Sequence, residues 1–321
     1  MNIGNRITRF LGPKIQDRFN PAGRSPILYF HRVLLEKDKY YKDDITVDEL
    51  DKLLSCLSEI FTFAPLDKLN QHYKGGKPLI GITFDDGYLD NYINALPVLK
   101  KHNAFATIFV ATSGIEKGVL WNDLIKYAVK EASDRSIHAL ERASSSVVVT
   151  TEERVMLCDR INATLKYLPL RDRNARVASV FNRLGVSDIS CPRLMMNSFE
   201  IDEMSKEPLI TIGAHTHDHT ILTTLNELDC AKQISKSKDI LEGITGNKIK
   251  TFCYPNGRKI QDYSSYHKKF IEMNGFDSAY TTMDGGVDGS VDKFEQPRFL
   301  PYRKIPFLMA LSAMKIAGEV A

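Results

Sequence analysis

Seven short apolar runs punctuate the chain: PILYFH (26–31), PLIGITF (78–84), AFATIFVAT (104–112), LITIGAH (209–215), IKTFCYP (249–255), FDSAYTT (276–282) and PRFLPY (297–302). Each is nearly continuous and rich in β-branched and aromatic residues, the pattern of strands buried on both faces. Between them the spacing becomes helical. TVDELDKLLSCLSEI (46–60) opens with Thr46 and has Glu49 three residues on, a capping box. YLDNYINALPVLKKHN (88–103) predicts a second helix. TLNELDCAKQISKSKDILEGITG (224–246) carries Leu225, Leu228, Ile234 and Leu241 at helical spacing and stops at a glycine. QDYSSYHKKFIEMNG (261–275) stops the same way at Gly275. Strand and helix alternate, which predicts an α/β fold with a parallel sheet and crossover helices.

Residues 116–196 break this rhythm. They are mostly polar, with helical stretches such as NDLIKYAVKEA and RVMLCDRINATLKYL, and read as a helical insertion between two strands, placed to cover the mouth of a site. Within it, SSSVVVT (144–150) reads as a short strand. The first 19 residues predict an amphipathic helix with Ile3, Ile7, Phe10 and Leu11 on one side, packed on the domain or lying against a membrane surface.

Composition narrows the class. The chain has 321 residues, 43% hydrophobic and 26% charged, as in ordinary globular proteins with room for a large core. A net charge of +3 gives no reason to expect a nucleic-acid partner. The five cysteines, Cys56, Cys158, Cys191, Cys230 and Cys253, are scattered without a CxxC pair and read as reduced thiols. No stretch has the length of a signal peptide or a membrane span, so the expected location is the cytoplasm.

The unusual residues fall at the C-terminal ends of the predicted strands, where parallel α/β barrels build their sites. His31 ends the first run, the adjacent Asp85 and Asp86 end the second, His215 ends LITIGA, and Tyr254–Pro255–Asn256–Gly257 ends IKTFC. His215 and His219 stand four apart in GAHTHDHTIL and can share one metal through one face of a turn, with His217 pointing elsewhere. With one carboxylate they form a His₂–Asp set with an open position, the logic of a catalytic metal site. Two neighbouring carboxylates can then divide the work: one binds the cation and the other takes a proton from water.

In this order and spacing, TFDDG, then HTxxH on a strand end, then YPxG, resemble the polysaccharide deacetylases of carbohydrate esterase family 4 (the NodB-homology domain). The resemblance covers roughly residues 26–115 and 197–302. It implies a distorted (β/α) barrel of about seven parallel strands over 26–305, interrupted by the 116–196 insertion, with an N-terminal extension over 1–25 and a helical tail over 306–321. It further implies a metal-dependent hydrolase acting on a carbohydrate N-acyl group. Carried over by position, Asp85 is the general base, and Asp86, His215 and His219 are the metal ligands. The family's late acidic histidine has no counterpart, since His267 lies inside a predicted helix. ILYFHRV is similar to the YHxV opening of one branch, which makes His31 the acid. Cys253 stands where the family often has an arginine that orients the base, and Arg298 is positioned to replace it. Tyr254 and Asn256 bracket the loop expected to supply an oxyanion-binding N–H.

The expected reaction removes an N-acyl group, foremost N-acetyl, from an amino sugar of a surface polysaccharide or its lipid- or nucleotide-linked precursor. One divalent ion is implied, zinc first, with cobalt, nickel or manganese also suited to an N,O set. Rival readings are a deformylase, an O-deacetylase, and a catalytically silent barrel that binds glycan or a partner.

Overall fold

The computed structural model describes residues 24–70, 77–141, 148–187 and 191–300. The expected N-terminal helix, the 306–321 tail and most of SSSVVVT lie outside these residues, and Val148–Thr150 are not in a strand. The sheet is curled and mostly parallel. Its path joins β1 (Ser25–Phe30), β5 (Leu79–Phe84), β6 (Ala106–Val110), β7 (Ile210–Ala214), β8 (Thr251–Cys253) and β9 (Ser278–Tyr280) in that order. These six strands correspond to six of the apolar runs. Four two-residue strands were not foreseen: β2 (Val33–Leu34) and β3 (Ile45–Thr46) pair with each other, β4 (Thr62–Phe63) pairs with β5, and β10 (Gly286–Val287) runs antiparallel to β1.

The seventh run, 297–302, differs from expectation. Over its described residues it forms single bridges rather than a ladder. Gln296 bridges Tyr280 at one edge of the sheet and Phe299 bridges Leu28 at the other. Pro297 has no N–H to give a ladder, so the segment crosses the gap without becoming a strand. It nevertheless links β9 to β1 and carries Arg298 into the interior.

The crossover helices follow their patterns. In α1 (Val47–Ile60) the Thr46 hydroxyl and Glu49 carboxylate form the expected capping box, and Leu50, Leu53, Leu54 and Leu57 are buried. Burying a Leu side chain stabilises by about 1.5–3 kcal/mol relative to exposure, so this one stripe holds the helix to the sheet. The second predicted helix forms over residues 89–101, with a π-type turn over Asn91–Ala95 leading into α2 (Leu96–Lys101). After β6 come α3 (Ser113–Lys117), then the inserted helices α4 (Trp121–Glu131), α5 (Asp134–Glu141), α6 (Thr151–Leu165) and α7 (Leu170–Leu184), then α8 (Ser198–Ser205). The insertion joins strands that are adjacent in the sheet, β6 and β7. It has its own apolar cluster, including Ile125, Val129, Leu157, Val177 and Phe181, distinct from the barrel core. The remaining helices are α9 (Glu227–Thr245), capped by left-handed Gly246, and α10 (Ser265–Met273). In α9, Ile234 and Leu241 are buried, but Leu228 is exposed.

No disulfide joins any of the five cysteines. Among the described residues no helix is long and apolar enough to cross a membrane.

Candidate active site

β1 and β5 pair in parallel register, Phe30 beside Phe84, which sets His31 and Asp85 next to each other at the strand ends. The Asp85 N–H donates to the Phe30 carbonyl at 2.8 Å. The chain then turns sharply: Asp86 has φ +75° and Gly87 φ +86°. A side chain at Gly87 would also meet Val110 at 2.9 Å. The described chain has six non-glycine residues with positive φ, and four of them, Asp86, Thr216, His219 and Asn256, sit in this rim. Left-handed backbone at a non-glycine residue is uncommon and costly, and it gathers where side-chain direction matters more than comfort.

Two adjacent aspartates meet opposite environments. Asp85 is fully enclosed by Arg298, whose Nη1 and Nη2 donate to its two oxygens at 2.7 and 2.8 Å. Arg298 is itself 0% exposed and also bonds the Thr83 hydroxyl, the Thr281 carbonyl and the Cys253 sulfur. Burial alone would raise the Asp85 pKa, but the Arg298 charge and the paired hydrogen bonds outweigh it and hold the carboxyl well below the usual range. Asp86 is equally buried and, among the described residues, has no cationic side chain bonded to it. Burial therefore pushes its pKa up. Its Oδ1 accepts no hydrogen bond among the described residues.

That oxygen faces two imidazoles. His219 Nε2 lies 3.2 Å from Asp86 Oδ1 and His215 Nε2 lies 3.5 Å from it. The Nδ1 of His215 is 2.7 Å from the Cys253 carbonyl, which can only accept, so Nδ1 carries the proton. Burial drives both imidazoles toward neutrality, lowering each pKa to about 4, with the Arg173 charge adding to the effect at His219. The neutral His215 Nε2 then presents a bare lone pair to a carboxylate oxygen. Such a contact is repulsive unless a proton or a cation stands between the atoms. The ligand atoms of Asp86, His215 and His219 lie within 4.8 Å of one another, and an N₂O donor set of this kind fits a divalent ion. The three residues could hold one. The ligand atoms of Asp85, His215 and Cys253 also lie within 4.8 Å of one another. Arg298 already saturates Asp85, which makes that group the poorer host.

A pH dependence follows. A cation requires Asp86 ionised and both imidazoles neutral, so all three sites lose it in the same direction, as pH falls. Free histidine titrates near about 6.5. Because His215 and His219 are lowered to about 4 while the Asp86 carboxyl is raised above its usual value, a cation should be held at neutral pH and released in acid. Metal content after dialysis at stepped pH checks this, and half-release at or above pH 6.5 would contradict it.

Other expectations need revision. The His215–His219 turn is not helical: Thr216 and His219 are left-handed, and the two rings approach through a tight loop, 5.0 Å between centroids. His217 points away and bonds the Thr112 hydroxyl at 2.8 Å. Tyr254 is not positioned to bind an oxyanion or a substrate. Its N–H donates to the Tyr280 carbonyl, its hydroxyl donates to the Phe294 carbonyl, and its ring stacks on Tyr263 at 4.0 Å. The reason is register: Tyr254 still belongs to the ladder that β8 makes with β9. Two residues on, at left-handed Asn256, the chain has left the sheet, and the Asn256 N–H has no acceptor among the described residues. His31 is half-buried and edge-on to Tyr29, with ring centroids 6.0 Å apart. The register of β1 on β5 places it on the same rim as Asp85.

Sequence reasoning missed the residues that the insertion brings to this rim. Asp123 is buried and accepts from Tyr88 Oη at 2.8 Å and Tyr41 Oη at 3.1 Å. Arg173 is 2% exposed and donates to the carbonyls of Asp218 and His219 at 3.0 and 3.3 Å. The Tyr167 hydroxyl donates to Asp262.

More than half of the chain, residues 72–155 and 190–276, matches the family model described as Polysaccharide deacetylase, and the chain belongs to that family of hydrolases. The unmatched gap falls within the inserted helices. YxkH of Bacillus subtilis (strain 168), which carries a polysaccharide deacetylase name, is 32% identical over 92 residues, 28% of this chain and 33% of its own. The chain thus spans about a third of that curated relative. Among solved structures, the deacetylase PplD of Streptococcus pyogenes superposes with a TM-score of 0.55 at 18% identity, covering 91% of this chain and 98% of that one. IcaB from Ammonifex degensii gives a TM-score of 0.56 at 18% identity, covering 91% and 97%. These likenesses define the fold as that of the deacetylase (β/α) barrels.

Proposed function

We propose that this chain is a divalent-metal-dependent N-deacetylase that removes the acetyl group from an amino sugar of a surface polysaccharide or its precursor. The observation that carries this reading is the convergence of Asp86, His215 and His219 beside a carboxylate, Asp85, that is locked in ionised form by buried Arg298. The family match and the deacetylase name of PplD support the reaction class, and the geometry of the rim supports the roles. Asp86, His215 and His219 would hold the cation, which when bound supplies Lewis-acid chemistry at the acyl group.

The chain's own residues do the rest. Asp85 accepts the proton of the attacking water. The arginine that keeps it ionised also lowers its basicity, so it works over a wide pH range at some expense of driving force. Both its oxygens are oriented by the guanidinium, so Arg298 is a positioning residue. The N–H of Asn256 faces the developing oxyanion, the task first divided between Tyr254 and Asn256. His31 donates a proton to the leaving nitrogen, which would otherwise leave as a very poor anion. The products are a carboxylate and a free amine.

His31→Ala should lower kcat by roughly 10²–10⁴-fold, the usual contribution of a general acid, with metal content unchanged. Acetate release from N-acetylated sugars and metal analysis of the same sample check this together. Full activity in the alanine variant would remove His31 from the reaction. A formate-releasing or O-acetyl substrate turned over in preference would move the reading to the corresponding rival.

A further inference from the structure

Outside the rim, the insertion forms a cavity of about 520 Å³ together with α3 and the 215–219 loop. Trp121, Arg173, Asn174, Asn182, Lys117 and Asp218 are among its walls. Trp121 is the single tryptophan of the chain. It opens α4 and is partly exposed, and the Arg173 guanidinium lies 4.9 Å from its ring centroid. Two donors in this wall have no acceptor among the described residues: the indole Nε1 of Trp121 and the Nε of Arg173. Buried donors left unbonded are costly, and native folds keep few of them. They ask for oxygen atoms from elsewhere.

The charges in the wall say what kind of oxygen. Lys117 is already bonded to Asp218, and Gln233 holds the other Asp218 oxygen. The two terminal nitrogens of Arg173 are spent on backbone carbonyls. Among the described residues an anion would find no uncommitted cation in this wall and would face the Asp218 carboxylate. A neutral ligand with many hydroxyl groups finds the partly exposed indole of Trp121, two unbonded N–H groups just beneath the wall and, at the exposed rim, the side-chain amides of Asn174 and Asn182, which bond no other described residue. The volume is within the range of small-molecule sites.

We propose that this cavity is a carbohydrate subsite that binds a neutral sugar unit of the glycan away from the unit being deacetylated, with Trp121 as its platform. The proposal rests on the functional reading above and deepens it by giving the insertion a role in choosing chain length. The two open N–H groups lie within the wall, so binding includes a small adjustment of Trp121 and Arg173. Since the chain has one tryptophan, its emission reports that adjustment directly.

The probes are N-acetylglucosamine oligomers of one and four units. In the Asp86→Asn variant, which cannot turn them over, the tetramer should change Trp121 emission saturably and bind about tenfold more tightly than the monomer. In the otherwise native enzyme, Asn182→Ala and Trp121→Phe should each raise KM for the tetramer by up to about tenfold, as the loss of a hydrogen bond does, with kcat unchanged. Asn182→Ala guards against a folding defect in the tryptophan variant. No saturable emission change with tetramer at millimolar concentration overturns the proposal, and so does an unchanged KM in both variants. The two readings fail separately. An emission change without acetate release would leave the subsite and remove the deacetylase. Acetate release with no emission change and no KM effect would do the reverse.

Discussion

Asp85→Asn should lose turnover by about 10²–10⁴-fold and keep its cation. The variant preserves shape and removes the group that accepts the proton. It also leaves Arg298, fully buried, beside a neutral amide. Breaking a buried ion pair by neutralising one partner typically costs roughly 3–5 kcal/mol, so a lower melting temperature is expected alongside the kinetic loss. The two effects can be separated. In Asp85→Asn/Arg298→Met the stranded guanidinium is gone, and stability should recover in part while activity does not. If activity returned with stability, Asp85 would be a structural partner of Arg298 and not the base.

Asp86→Asn should show the opposite balance. Its carboxylate is buried with an oxygen that nothing in the described chain satisfies. An unpaired buried charge is destabilising, so neutralising it should leave the cation-free protein at least as stable as the parent. Cation affinity, by contrast, should fall by more than about 10²-fold, beyond what loss of an outer hydrogen-bond partner causes. In the parent a cation should raise the melting temperature markedly, because it binds the folded site alone. In the variant that increment should disappear. Calorimetric scans with and without metal read both quantities. A variant that still gains stability from the ion would show that Asp86 is not a ligand.

Some of this was legible in the chain and some was not, for physical reasons. Buried parallel strands leave continuous apolar runs, so β1, β5, β6, β7, β8 and β9 could be read directly. Their ends then gave the rim, because a polar residue closing such a run has little else to do there. Two-residue strands such as β2 and β10 carry no period and left no trace. Arg298 could be singled out because the arginine expected near Cys253 was missing, but its complete burial could not be foreseen from a run interrupted by Pro297. Tyr254 was misjudged because a motif gives residue types and not hydrogen-bond partners: only the register of β8 on β9 shows that its N–H is committed. The insertion was the least legible part. Asp123 stands in the first turn of α4, where an acidic residue is ordinarily explained by the helix dipole, and nothing local distinguishes it. Arg173 reads as one more surface cation of an amphipathic helix. Only tertiary packing turns them inward, one toward Tyr88 and the other toward the carbonyls beside His219.

The central claim joins a metal to an amide bond, and one measurement addresses both. Purified protein, stripped by chelation and reloaded with zinc or cobalt, is incubated with an N-acetylglucosamine oligomer, and acetate and free amine are quantified together. The account predicts one amine for each acetate, loss of both on chelation, and recovery of both when the ion is restored. Release that persists in the stripped protein, or acetate without a matching amine, would contradict it.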